Sequence, residues 1–157
     1  MPLERRGLML RINVLPMEKE DISEIVKLEK MCFSQPWSEK AFCDSLDGGN
    51  SYFAVAKTSE NLILGYGGMY FASCEGYIYN IAVKKEFRGQ KIGQTLVKKL
   101  IDYSVSKNLE FLSLEVRESN MAAINLNKKM GFETLGKRKG FYSNPKEDAF
   151  IMTLFLK

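Results

Sequence analysis

The chain has 157 residues, 45% of them hydrophobic and 27% charged, which predicts one soluble globular domain over residues 1–157 that can bury a full core. Lys plus Arg (23) exceed Asp plus Glu (19) by four, too small and too dispersed an excess for a dedicated nucleic-acid binder, so any basic patch must be local. Histidine is absent, which excludes Ser-His-Asp and Cys-His nucleophiles, HExxH zinc sites and imidazole bases and leaves proton transfer to carboxylates, Tyr, Lys, Cys or water.

At the amino end, Arg5 and Arg6 precede an apolar stretch, Leu8-Met9-Leu10, that stops at Arg11. This is far short of a signal-peptide core or a membrane span, and a cytoplasmic protein is expected. From Asp21, residues Ile22, Ile25, Val26, Leu28 and Met31 fit a helix with one apolar stripe, broken only at Glu29. Phe33 to Pro36 stop it, a second helical stretch covers Ser38 to Leu46, and Gly48-Gly49-Asn50 forces a turn. Residues 52–57, 62–71 and 77–83 are rich in aromatic and β-branched side chains and read as three strands of a meander. After Arg88 the period changes: Ile92, Leu96, Val97, Leu100, Ile101 and Val105 mark an amphipathic helix. A strand at 111–116 alternates Leu112, Leu114 and Val116 with Phe111, Ser113 and Glu115. Ser119-Asn120 offers an N-cap to a helix through Met130, with Gly131 at its left-handed end. Phe132 to Leu135 and Phe150 to Leu156 close the chain as strands around a basic, turn-like segment, Lys137 to Pro145. The pattern predicts an α/β (α+β) fold with a mixed sheet of about six to seven strands and helices on both faces.

The junction at 83–94 places two glycines, four cations and a helix start directly after a strand. Free N–H groups and the positive dipole end of a helix suit a pyrophosphate; alternatively Gly89 and Gly93 only shape a turn and the lysines are solvated. Neither GxxxxGK[ST] nor GxGxxG is present, which argues against ATP, GTP and NAD. Three cysteines, Cys32, Cys43 and Cys74, form no CxxC pair, so free thiols and no metal site are expected.

Ile81-Ala82-Val83 followed by Arg88-Gly89-Gln90-Lys91-Ile92-Gly93 resembles the R/Q-x-x-G-x-G/A acyl-CoA loop of the GNAT acetyltransferases, and Ala123-Ile124-Asn125-Leu126 to Gly131-Phe132 resembles their A-I-x-L-Y-x-x-x-G-F helix. Three further stretches, Cys32 to Ser38, Leu114 to Asn120, and Phe141-Tyr142 with Glu147-Asp148-Ala149, are similar to the RimI-type N-terminal alanine acetyltransferases of ribosomal proteins. The likeness spans roughly residues 12–157.

The resemblance implies a GNAT fold whose strands at 77–83 and 111–116 run parallel but splay apart to admit acetyl-CoA. Pantetheine would lie along Ile81, Ala82 and Val83, bonded to the backbone of Ile81 and Val83, and Arg88 with Gly89 to Gln94 (Gly89, Gln90, Lys91, Ile92, Gly93, Gln94) would hold the pyrophosphate. Asn120 would reach the cofactor arm or serve only as a cap. Glu115 matches the general base and Tyr142 a tyrosine that meets the acceptor; a solvated strand glutamate and a surface aromatic are the plain alternatives. Phe33 and Trp37 would form a lip over the acceptor groove, unless Trp37 is a buried anchor. Two positions depart from the pattern: Lys91 replaces a central glycine, and Asn127 replaces the tyrosine that protonates the departing thiolate, a proton asparagine cannot supply. The implied acceptor is a protein or peptide N-terminus, on a ribosomal protein beginning with alanine, with no nucleic acid or membrane partner and a monomer or weak dimer as the assembly. A small amine, a lysine side chain, or non-catalytic acyl-CoA binding are the alternatives.

Overall fold

The structure is a computed structural model that describes residues 2–5 and 8–157, with side chains from Arg11 onward. Met1, Arg6 and Gly7 lie outside the described residues, and with Arg6 goes part of the amino-terminal charge reading. The strands are β1 (Pro2–Arg5), β2 (Leu8–Pro16), β3 (Ser51–Thr58), β4 (Ile63–Ala72), β5 (Glu75–Val83), β6 (Phe111–Arg117), β7 (Glu133–Ser143) and β8 (Lys146–Phe155). The helices are α1 (Ile22–Cys32), α2 (Glu39–Asp47), α3 (Ile92–Ser106) and α4 (Met121–Lys129). Among the described residues the strands form one sheet in the order β1-β2-β3-β4-β5-β6-β8-β7.

The mixed sheet and the helices on both faces agree with the sequence reading; β1 and β2 were not expected from it. β2 pairs with β3 from Ile12↔Thr58 to Pro16↔Ala54, so its identity as a strand depends on a partner forty residues away. The segment Lys137 to Pro145 is corrected: it is not a turn, since β7 continues to Ser143 and pairs with β8 as far as Ser143↔Lys146. Most of its side chains are exposed, so no one-faced alternation marks it as a strand, and its register slips between Arg138 and Tyr142.

Two apolar cores flank the sheet. On one face Ile92, Leu96, Val97 and Leu100 of α3 and Ile124 of α4 pack on Leu112, Leu114, Val116 and Met152. On the other, Ile22, Ile25 and Leu28 of α1 and Phe42 of α2 pack on Phe53, Val55, Tyr66 and Ala82. Ser38 starts α2 by accepting from the Ala41 N–H at 3.1 Å. Phe42 is wholly buried against Trp37, Phe53 and Tyr66, so truncating it to alanine costs about 3–5 kcal/mol. No helix among the described residues is long and apolar enough to cross a membrane.

The pairing of β5 with β6 is parallel and short, running only from Glu75↔Phe111 to Tyr77↔Ser113. Beyond Tyr77 the strands part. On its other edge β5 stays paired with β4 up to Gly65↔Val83, with a bulge at Tyr79, where Gly68↔Asn80 gives way to Met69↔Ile78. The fold therefore opens a gap in the middle of its own sheet.

Candidate active site

The gap is a cleft of about 690 Å³ lined by β5, β6, the loop into α3, α4 and Tyr142, within the roughly 300–1,000 Å³ usual for small-molecule sites. The Lys84 N–H donates to the Leu64 carbonyl at 2.8 Å, and strand alternation then turns the peptide groups of Ile81 and Val83 away from β4 and toward the cleft. By the same alternation the Ala82 backbone faces β4, between the two cleft-facing peptide groups, and the residue lines the cleft. Val83 is only half as expected: its carbonyl accepts from Arg88 Nε at 3.1 Å, which leaves its N–H as the group directed at a ligand. Arg88 also braces the loop, its Nη2 reaching Cys32 Sγ at 3.5 Å, while it lines the cleft at the start of the loop into α3.

Gly89, Gln90, Lys91, Ile92, Gly93 and Gln94 wrap the start of α3. Gly89 sits at φ +78 and Lys91 at φ +66, the left-handed region. In that conformation the Lys91 carbonyl accepts from the Thr95 N–H (3.1 Å) and Oγ1 (2.9 Å), so the N–H groups of Ile92, Gly93 and Gln94 precede the first intrahelical bond and point out of the helix end. The lysine thus takes up the backbone role of a glycine, at a steric cost of about 1–2 kcal/mol. A Cβ on Gly93 would meet Leu126 Cδ2 at 3.4 Å, so α3 and α4 approach closely at the cleft.

On β6, Leu114 and Val116 face the α3 core while Glu115 projects to the opposite face and lines the cleft, with Arg138 Nε 3.4 Å from its Oε1. Tyr142 reaches the same cleft from β7. Arg117 holds it there: its guanidinium lies 4.2 Å from the Tyr142 ring centroid and donates to the carbonyls of Pro145 (2.9 Å) and Asn144 (3.3 Å). Glu147 completes the brace, 3.4 Å from Arg117 Nη1 and accepting from the Ser119 N–H at 2.8 Å. Burial raises the Tyr142 phenol above its ordinary value, with Arg117 pulling the other way. The Ser119 hydrogen bonds, then Arg117, hold the Glu147 carboxyl below its ordinary value.

Asn120 and Asn127 both reach the cleft wall from α4. Asn120 Oδ1 accepts from the Ala123 N–H at 3.1 Å, so it is a helix cap whatever else it touches. Asn127 is buried, with its Nδ2 3.8 Å from Met152 Sδ. Phe33 lines the cleft, but Trp37 does not. Trp37 packs on Phe42 (5.2 Å) and Tyr79 (4.5 Å), so of the two roles read from the sequence it takes that of an anchor, and its partner Tyr79 forms the cleft wall.

The sequence reading gave no role to Glu29, which it met as a flaw in the α1 stripe. Glu29 is fully buried and accepts from the Trp37 N–H (2.9 Å), the Tyr66 hydroxyl and Asn80 Nδ2 (3.3 Å), tying α1 and the loop after it to β4 and β5. Burial and the adjacent Glu29 carboxylate push the Tyr66 phenol far above its ordinary value, so it stays a donor. A charged residue on an apolar stripe was the available signal. Arg117 was equally missed as a clamp, although it lies inside a quoted motif. Cys32, Cys43 and Cys74 are unpaired, and no group of three His, Cys, Asp or Glu side chains among the described residues is placed for a metal ion.

The acetyltransferase (GNAT) family model matches residues 22–132. The [ribosomal protein bS18]-alanine N-acetyltransferase of Escherichia coli (strain K12) is 31% identical over 144 residues, covering 90% of this chain and 96% of that one. A Bacillus subtilis (strain 168) protein, assigned the same activity provisionally, is 36% identical over 137 residues, covering 87% and 90%. The crystal structure of the ribosomal-protein-S18-alanine N-acetyltransferase from Escherichia coli superposes with a TM-score of 0.85 at 28% identity, covering 94% and 95%. The chain belongs to the GNAT acetyltransferase family.

Proposed function

We propose that this GNAT enzyme transfers an acetyl group from acetyl-CoA to the N-terminal α-amine of a protein, with a ribosomal protein beginning with alanine as the acceptor and the cytoplasm as the setting. The observation that carries the reading is the parting of β5 from β6 after Tyr77, with helix-end N–H groups on one side of the gap and Glu115 on the other. Full-length similarity to two chains named for this activity supports the choice of acceptor.

The residues fit a coenzyme A. The Ile81 carbonyl and the Val83 N–H would take the pantetheine amides as an added strand would, and the N–H groups of Ile92 to Gln94 would take the pyrophosphate, with the Lys91 ammonium beside it. Bound acetyl-CoA supplies an activated thioester. The Ile81 N–H, which faces the cleft, would donate to its carbonyl oxygen. An α-amine has a pKa of about 8, so roughly a tenth is neutral at pH 7 and a modest base suffices. Glu115, through a water, takes the proton that the amine loses. Tyr142, kept protonated by burial and held by Arg117, contacts the acceptor terminus and carries a proton toward the departing sulfur, a task Asn127 is unable to perform. A thiol pKa near 8.5 makes that sulfur a tolerable leaving group even before it is protonated.

The test is purified protein with acetyl-CoA and short peptides differing at residue one, read by CoA release and peptide mass. Turnover on alanine-led peptides, with the mass gain on the α-amine, is expected. Turnover only on polyamines or lysine side chains refutes the acceptor; a CoA-dependent rise in melting temperature with no turnover on any amine makes the chain the acyl-CoA-binding module that Asn127 favours.

A further inference from the structure

With the first residue of the acceptor at Glu115, the fold restricts where the next ones run. The coenzyme side of the gap is closed by α3 and α4, so a peptide whose amine meets Glu115 must leave across the opposite face of the sheet. That face carries a run of rings. Trp37 touches Tyr79 at 4.5 Å, Tyr79 touches Tyr70 at 4.8 Å, and Tyr70 stacks on Tyr77 at 5.2 Å and 21°. Tyr70 and Tyr77 are a cross-strand pair of β4 and β5, half-buried, and outside both cores. In the sheet register Tyr77 stands opposite Ser113, two residues along β6 from Glu115, which is about 7 Å at the strand rise. An extended peptide covers that distance in two residues.

The charges along the run are acidic in a chain that is basic overall. Glu75 accepts from the Tyr77 hydroxyl at 3.0 Å at the far end, and Glu115 lies at the near end paired with Arg138, a cation whose charge also reaches the Tyr70 phenol and leaves Glu75 as the unneutralised carboxylate of the run. The ring faces are negative by their quadrupoles, and a guanidinium or ammonium laid over them is attracted.

We propose that the stacked Tyr70 and Tyr77 rings, with Glu75 at their edge, form a subsite that selects a cationic side chain at the second or third position of the acceptor peptide. The proposal rests on the N-terminal acceptor reading. The rings supply the face, Glu75 supplies the counter-charge, and the pairing of β4 with β5 fixes the stack before the peptide arrives. Both phenols are held above their ordinary values, so the platform stays un-ionised through the working pH range.

The experiment compares alanine-led peptides carrying Arg, Lys, norleucine or Glu at position two, then at position three, in otherwise identical sequence. Two readouts are taken: kcat/KM, and calorimetric Kd of the N-acetylated products in the presence of CoA. At one of the two positions, Arg or Lys is expected to exceed norleucine by about 3- to 30-fold in both, with Glu weakest and the ratio shrinking as salt rises. In separate Tyr77→Leu and Glu75→Gln variants, each verified by its CoA-induced melting shift, the ratio falls to within twofold. Equal values for Arg and norleucine at both positions in the wild type overturn the subsite while leaving the acceptor reading standing, as does a ratio that survives both variants. No turnover and no binding with any peptide, alongside turnover of a small amine, overturns both.

Discussion

Replacing Glu29 by glutamine removes a charge and exchanges one acceptor oxygen for a two-proton donor inside a site built from donors. In the native chain the carboxylate serves the Trp37 N–H at 2.9 Å, the Tyr66 hydroxyl and Asn80 Nδ2 at 3.3 Å, with no exposed surface. Glutamine keeps one oxygen, enough for the Tyr66 and Asn80 side, and turns its NH₂ toward the Trp37 N–H, so one charge-assisted bond is lost and one buried donor is left unmet. Each loss is worth about 1–3 kcal/mol, and the smaller desolvation cost of a neutral amide offsets part of the sum, for a net loss of about 2–4 kcal/mol. In a domain of this size that lowers Tm by about 4–16 °C. Urea and thermal unfolding measure the loss. Trp37 is the sole tryptophan, so its emission reports on the released loop directly and should shift to the red in the folded variant. A Glu29→Gln protein within about 0.5 kcal/mol of wild type, with unchanged emission, would falsify the view that this carboxylate fastens the loop after α1 to the sheet.

Glu115→Gln should bind CoA as the wild type does and lose about 10²- to 10⁴-fold in rate near neutral pH, with the deficit shrinking toward pH 9 as neutral amine becomes plentiful; equal turnover across pH 6–9 makes Glu115 an ordinary strand residue. Lys91→Gly relieves a left-handed side chain but adds backbone freedom to the unfolded chain, so Tm should stay within about 4 °C, while desulfo-CoA binds severalfold more weakly and with a shallower salt dependence; tighter binding would mean that the lysine is a steric compromise and not a phosphate contact. If proton delivery by Tyr142 limits the reaction, Asn127→Tyr should raise the rate with CoA affinity little changed, and an unchanged rate means that amine attack or product release limits instead; a joint loss of binding and rate means that the Asn127 amide itself holds the thioester. Tyr142 is raised by burial, so its contribution to stability is present below the ordinary phenol value and fades as pH climbs through the higher folded value. A rate profile limited by this phenol should therefore hold through pH 9 and fall only above about 10, and an alkaline limb near 8 that survives Tyr142→Phe assigns that limb to another group.

Local signals in the sequence were enough to specify α1 to α4 and the strands β3 to β6, because an element with one buried face writes its period into its own residues, as in α1 and α3, and caps and breakers such as Asn120 and Gly131 bound the shorter helices. The same alternation put Glu115 on the face away from Leu114 and Val116, and the glycine-rich entry to α3 announced a helix end short of donors. The missing histidines narrowed the proton carriers without any fold. Tertiary structure decided the rest, since those features are stabilised by partners far along the chain. β2 and the outer half of β7 are strands because β3 and β8 supply their hydrogen bonds, and β7 is exposed on both faces and so has no pattern to read. Arg88 braces the Val83 carbonyl, Trp37 packs edge-on against Tyr79, and Tyr70 meets both Tyr77 and Tyr79 only when β4 and β5 have paired. Glu29 is the sharpest case. In sequence it is a defect in an apolar stripe, and only the arrival of Trp37, Tyr66 and Asn80 from three other segments makes burying its charge affordable.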